Sequence, residues 1–184
     1  TNDEAVSRVY IVESQEELSE TLGKMVSGDT VVLGGGEWAA ATISFDDEKS
    51  VKLRGFDVGV LTVNAPKGTV YFYNDAGTVI GEAIAGNSLH IYGNVGTLTV
   101  NSGRTVVEAG AIVQTISAVP SENATATVTL EEKSTVGNVT VDTSAPNSST
   151  NLTIAENVVV PELTIGGGGE VAVKNDGTVE NVTV

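Results

Sequence analysis

VGVLTV at residues 58–63, VGTLTV at 95–100, VGNVTV at 136–141 and VENVTV at 179–184 are copies of one short phrase. WAAATI at 38–43, ahead of them, and VQTISA at 113–118 and VPELTI at 160–165, in the intervals between them, are looser copies. The shared pattern is apolar-x-x-apolar-x-apolar, and it returns about every twenty residues, the period of a stacked solenoid. On a pleated strand this spacing sends the first, fourth and sixth positions into a core and the fifth outward. The fifth position then forms a column of Thr42, Thr62, Thr99, Ser117, Thr140, Thr164 and Thr183, interrupted by Ala83.

A second apolar pair, spaced i and i+2, precedes each hexad. The pairs are Val31/Leu33, Val51/Leu53, Val70/Phe72, Leu89/Ile91, Val107/Ala109, Val128/Leu130, Leu152/Ile154 and Val171/Val173. Each unit therefore holds two short alternating strands and their connections. A β-sandwich also has short strands at regular spacing. Against it stands the recurrence of the hexad as a unit, with a period that spans more than one strand. The connections vary most at Pro120–Ala126 and Thr143–Asn151, as corners of a stacked coil do.

The N-terminus reads differently. Val9–Val12 is a short strand. Ser14 with Glu17 makes a capping box, and Leu18, Leu22 and Met25 or Val26 follow at helical spacing. Gly28 sits where a helix C-cap is expected. Gly28-Asp29-Thr30 then leads into Val31–Leu33, and Gly36-Glu37-Trp38 into the first hexad. This entry, followed by the hexads over most of residues 9–184, resembles the right-handed parallel β-helix group, the pectin-lyase-like superfamily with its many non-enzymatic surface relatives. The resemblance implies a right-handed coil, in keeping with the usual hand of parallel crossovers. It does not imply a function, because lyases, hydrolases, adhesins and passive stalks share that fold.

The expected architecture is all-β: a single-stranded right-handed parallel β-helix of about eight coils with an N-terminal capping helix. Residues 1–30 form the strand and cap, and residues 31–184 the β-helix, with one core through both. The hexad runs to Val184, so the last coil is expected to lack a cover. The expectation at that end is further coils or domains after Val184, or end-to-end self-association.

Composition narrows the function. The 184 residues carry 24 acidic and 9 basic side chains, a net charge of −15, which disfavours DNA, RNA and anionic membranes as partners. No apolar run is long enough to cross a membrane as a helix, so no membrane insertion is expected. Cysteine is absent, which removes thiolate metal sites and a Cys nucleophile. Aromatics are 4% of the chain, so their placement is informative.

The enzymes of the resembled superfamily depend on clustered Asp, or on Asp with Arg and Lys, in a groove on one outer sheet. Asp46-Asp47-Glu48 is the one acidic triplet. It falls in a loop, where such a run is ordinarily a solvated turn; these three residues are the candidate ligands should an ion be held. Asn74-Asp75 and Asn175-Asp176-Gly177 read as turns. Gly34–Gly36 and Gly166–Gly169 read as loops, since neither run is followed by a Lys-Ser/Thr pair or a helix. The lone histidine, His90, could act as an acid–base group only beside an orienting partner. Glu108, placed one unit later in the same outward slot, is the candidate. No catalytic residue and no cofactor is assigned.

One outward cluster stands out. With Val51/Leu53, Val70/Phe72 and Leu89/Ile91 pointing in, Lys52, Arg54, Tyr71, Tyr73, His90 and Tyr92 point out on neighbouring rungs. Three of the four tyrosines and the single histidine then share one patch. Aromatic cross-strand pairs stabilise sheets, and aromatics beside Arg are also typical contact residues. The expected function is a non-catalytic, extracellular or cell-surface bacterial module for adhesion, display or binding of a glycan or protein. The alternative is a polysaccharide-active enzyme or its degenerate relative. A regular Thr column also suits an ice-binding face, but the outward neighbours two residues earlier vary and include Glu162.

Overall fold

The computed structural model describes residues 6–55, 57–82 and 89–184. The elements in chain order are β1 (Val9–Val12), α1 (Gln15–Lys24), β2 (Thr30–Leu33), β3 (Trp38–Ser44), β4 (Ser50–Gly55), β5 (Val58–Asn64), β6 (Thr69–Phe72), β7 (Ala76–Glu82) and β8 (Leu89–Ile91). They continue with β9 (Asn94–Val107), β10 (Ile112–Ala118), β11 (Thr125–Leu130), β12 (Thr135–Thr143), β13 (Ser149–Ile154), β14 (Val159–Gly167), β15 (Glu170–Asn175) and β16 (Thr178–Thr183). Every pairing among them is parallel. The chain is an all-β parallel solenoid of about eight turns, with one helix among the described residues, at the N-terminal end.

Two ladders make the two faces. Ladder A stacks β1, β2, β4, β6, β8, the second half of β9, β11, β13 and β15. Ladder B stacks β3, β5, β7, the first half of β9, β10, β12, β14 and β16. The long strand β9 belongs to both, and at Gly103 (φ +68) it passes from one ladder to the other. At the other passages that lie among the described residues a loop makes the change, from two residues between β14 and β15 to six between β10 and β11. The return corners, from A to B, stay within two to four residues.

The hexads are the strands of ladder B. Val58, Leu61 and Val63, and likewise Val95, Leu98 and Val100, are fully buried at positions one, four and six. Position two explains the gap in the pattern. It drops out of the register, so that Val95 pairs with Val113 and Thr97 with Thr115 while Gly96 and Gln114 are skipped. Two successive residues then face outward, as at a bulge. At this slot backbones approach closely: a Cβ on Gly137 would lie 2.0 Å from the carbonyl oxygen of Gln114.

Two register expectations are corrected. The coil between VGVLTV and VGTLTV has its hexad at AGTVIG, residues 76–81, with Leu61 paired to Val79 and Thr62 to Ile80. Ile80, not Ala83, interrupts the Thr column, and Ala83 itself lies outside the described residues. The small inward residues Ala76 and Gly81 hid this copy. On ladder A the inward pair after Leu89/Ile91 is Thr105/Val107, not Val107/Ala109. Thr105 is buried and Ala109 exposed. A threonine in an inward slot carries no apolar signature, so the pair reads two residues late. In the glycine runs, Gly166 and Gly167 are paired residues of β14, opposite Asp142 and Thr143, rather than loop.

One core cluster runs from Val12 to Leu163. At its N-terminal end Leu18 and Leu22 of α1 are buried against β1 and β3. Ser14 caps the helix through its Oγ, which accepts from Glu17 N at 3.2 Å. Glu17 returns its carboxylate to the N–H of Glu13, at 2.7 Å, one residue before the cap. The helix ends at Met25, which is buried while Val26 is exposed, so Gly28 (φ +92) belongs to the turn that follows rather than to the cap. Lys49, buried, donates to the Leu22 carbonyl at 2.5 Å and meets Asp47 at 3.3 Å. The side-chain amide of Gln15 pairs with the edge of β3 as a strand would: Nε2 donates to Thr42 O at 3.0 Å and Oε1 accepts from Thr42 N at 2.8 Å. At the other end Val173 and Val182 are exposed.

The A-to-B corners carry stacked left-handed residues, with Gly110 at φ +85, Lys133 at +65 and Asn157 at +64. For a lysine this conformation costs about 1–2 kcal/mol. Part of that is offset in the unfolded chain when glycine replaces it. Lys133→Gly is therefore expected to raise stability by about 0.5–1 kcal/mol, read as a melting temperature higher by about 1–4 °C. An unchanged or lower value would contradict it.

Candidate functional site

The patch forms on the outer face of ladder A over β4, β6 and β8. Lys52 pairs in register with Tyr71, and Tyr71 with His90. The next outward slot continues the ladder as Tyr73 N bonds Leu53 O at 3.1 Å and Tyr92 N bonds Phe72 O at 2.9 Å. Two columns result, Lys52–Tyr71–His90 and Arg54–Tyr73–Tyr92. Their inner supports, Leu53, Phe72 and Ile91, are fully buried. The short corners of two to four residues begin here, so Tyr73 and Tyr92 are held on both sides.

The rings stack along the rod. Tyr71 and His90 have centroids 4.8 Å apart and planes 22° apart, and Tyr73 and Tyr92 are 4.8 Å apart at 12°. Tyr71 and Tyr92 meet across the columns at 6.4 Å. The Arg54 guanidinium lies over Tyr73, 4.4 Å from its centroid. Tyr73 is thus covered on both faces, by a cation and by a ring, and its edge remains for contacts. Such a cation–π contact contributes about 0.5–1 kcal/mol at an exposed site. Among the described residues neither Lys52 nor Arg54 makes an ion pair.

Glu108 joins the patch from β9's far end, but not in the expected slot. His90 pairs with Val106, an outward residue that its neighbours cover completely, while Glu108 N bonds Ile91 O and so follows Tyr92. The carboxylate reaches back diagonally, and its Oε1 lies 2.5 Å from His90 Nδ1. A carboxylate on one ring nitrogen fixes the orientation of an imidazole.

Partial burial of its ring pushes the Tyr92 hydroxyl above the usual phenol range, and the charge of Glu108 pushes it the same way, with smaller contributions from Tyr73 and Tyr71. The neutral phenol is thus favoured in the folded state. The stability it contributes is fully present below the unfolded value of about 10 and is lost as pH rises through the folded one. In an ultraviolet titration Tyr92 is expected to ionise late, and Glu108→Gln to bring it down. A Tyr92→Phe variant that leaves the alkaline end of the titration unchanged would refute this.

Asp47 faces Lys49, and among the described residues no three His, Asp or Glu side chains converge to hold an ion. Asp75, expected in a local turn, instead accepts the N–H of Asn94 on the next rung at 2.8 Å. Asn175 does close its own turn, to Gly177 N at 3.0 Å. The cleft lined by Asn64, Ser102 and Ser121 lies at the other corner, away from the patch.

The rest of this face changes character. Beyond Glu108 the Arg54 column continues as Glu131, Ala155 and Asp176, with Glu132 and Glu156 beside it. The stacking partners were readable from the alternation alone. The cover that Arg54 lays on Tyr73 was not, since it depends on a side-chain rotamer. No family model, curated protein or solved structure matches the chain.

Proposed function

We propose that the chain is a non-catalytic solenoid module of a bacterial cell surface or extracellular protein, used for adhesion or display, with the ladder A patch as its contact surface. The observation that carries this is the Arg54–Tyr73–Tyr92 stack. It gathers cation and aromatic groups on a rigid frame, in a chain that has few of either. Aromatic and arginine side chains held rigid by packing are what binding hot spots are made of. The likeness of the N-terminal entry to the pectin-lyase-like group is consistent with its non-enzymatic surface relatives. The acidic, cysteine-free, Thr- and Asn-rich composition suits an extracellular rod.

The enzymatic alternative draws on one observation, the imidazole of His90 oriented by Glu108. Screening glycan and protein arrays alongside a polyuronide cleavage assay separates the two. Binding lost in Tyr73→Ala and Tyr92→Ala, with no turnover, is the expected result. Turnover that disappears on replacing His90 or Arg54 would overturn the binding reading.

A further inference from the structure

We infer that the partner of this patch is an acidic polypeptide in extended conformation, whose carboxylates are read by the edges of the stacked groups rather than by ring faces. The inference rests on the binding reading above and names its ligand.

The first ground is the state of the ring faces. A sugar ring packs its C–H groups on the electron-rich face of an aromatic. Tyr73 has Arg54 on one face at 4.4 Å and Tyr92 on the other at 4.8 Å. Tyr71 has His90 against one face at 4.8 Å and the Lys52 rung on the other side. Stacking along the rod leaves ring edges, phenol hydroxyls and the nitrogen rim of the guanidinium to meet a partner. The hydroxyls and the guanidinium N–H groups are hydrogen-bond donors, well matched to carboxylate oxygens.

The second ground is charge. The net charge of −15 makes most of the surface hostile to anions. Yet Lys52, Arg54, Tyr71, Tyr73, His90 and Tyr92 include no carboxylate, and both cations lack an ion pair among the described residues. Glu108 borders the patch with its carboxylate turned onto His90. The acidic stretch beyond it, Glu131, Glu132 and Glu156, repels an anionic partner and confines it to the rungs of β4, β6 and β8.

The third ground is spacing. Lys52 and Arg54 are alternate residues of one strand, about 6.6 Å apart along it. An extended peptide running alongside presents residues i and i+2 on one face at the same interval. Carboxylates at i and i+2 therefore meet both cations at once, and the tyrosine hydroxyls lie one and two rungs away to receive neighbouring groups. A folded or helical acidic segment does not offer that repeat.

The test uses defined probes on the full chain: a short peptide of alternating Glu and Ser, its Gln–Ser counterpart, polygalacturonate, and a neutral glucan oligosaccharide. Calorimetry gives the affinities, and tyrosine fluorescence locates the site. The Glu–Ser peptide is expected to bind, to weaken with added salt, and to lose at least about tenfold in affinity with Arg54→Gln, as for a lost charge-assisted hydrogen bond. The Gln–Ser peptide and the glucan are expected not to bind. Tighter binding of the glucan or of polygalacturonate, lost in Tyr73→Ala, would overturn the inference and leave the patch as a binding site. Peptide binding indifferent to Arg54→Gln, Lys52→Gln and Tyr73→Ala alike would overturn the inference by placing the contact elsewhere.

Discussion

Phe72→Ala is expected to destabilise the solenoid by about 3–5 kcal/mol, the range for deleting a buried aromatic from a packed core. Phe72 is fully buried and stands in register with Leu53 below it. Ile91 stands above it. It is flanked in sequence by Tyr71 and Tyr73, which point the other way. β6 has four residues, so little else anchors that rung. The cavity therefore weakens the interfaces with β4 and β8 first, because solenoid stability is a sum of nearest-neighbour terms. Urea denaturation should show a lower midpoint with an unchanged slope. Hydrogen exchange should quicken at β4, β6 and β8 before it does at β12 or β14. A loss below about 1 kcal/mol would show that these rungs collapse around the gap, and exchange that rises uniformly would show that the solenoid opens as one unit.

Asp29→Ala is expected to cost about 2–5 kcal/mol, from two backbone N–H groups losing a buried, charged acceptor. Asp29 is fully buried. Its Oδ1 accepts from Arg8 N at 2.8 Å and its Oδ2 from Val26 N at 2.9 Å, while its own carbonyl accepts from Lys52 N at 3.0 Å. One carboxylate thus joins the approach to β1, the exit of α1 and the turn into β2. Asp29→Asn keeps one acceptor oxygen and turns an NH2 toward the other N–H, so it should recover only part of the loss. Full recovery in the Asn variant, by thermal melting, would show that one of the two bonds carries nothing.

Legibility from the sequence followed the hydrophobic contrast of each position. The hexads around Leu61, Leu98 and Val139 were plain, because large apolar residues alternate there with Thr and Gly. The copy at 76–81 was not, since Ala76 and Gly81 fill inward slots without looking apolar. Thr105 failed in the same way on ladder A. The patch was visible as a list of neighbours because strand alternation places Tyr71 beside His90 and Tyr73 beside Tyr92. Its chemistry was not visible. Whether a ring offers a face or an edge depends on rotamers and on what lies above and below, and Arg54 decides that for Tyr73. The diagonal reach of Glu108 to His90 likewise belongs to side-chain length rather than to register.

The amide of Gln15 has a consequence for assembly. An open β-edge is a template on which a further strand can crystallise, whether from a neighbour or from a misfolded copy. At the first rung of ladder B, the donor and the acceptor of Thr42 are already occupied by a side chain that cannot itself extend into a strand. Behind Gln15 lies a helix, whose backbone groups are turned along its own axis and offer nothing to a newcomer. Ladder B therefore has a chain-terminating group at this edge, in the sense a polymer chemist would use: strand-by-strand growth that arrives here stops.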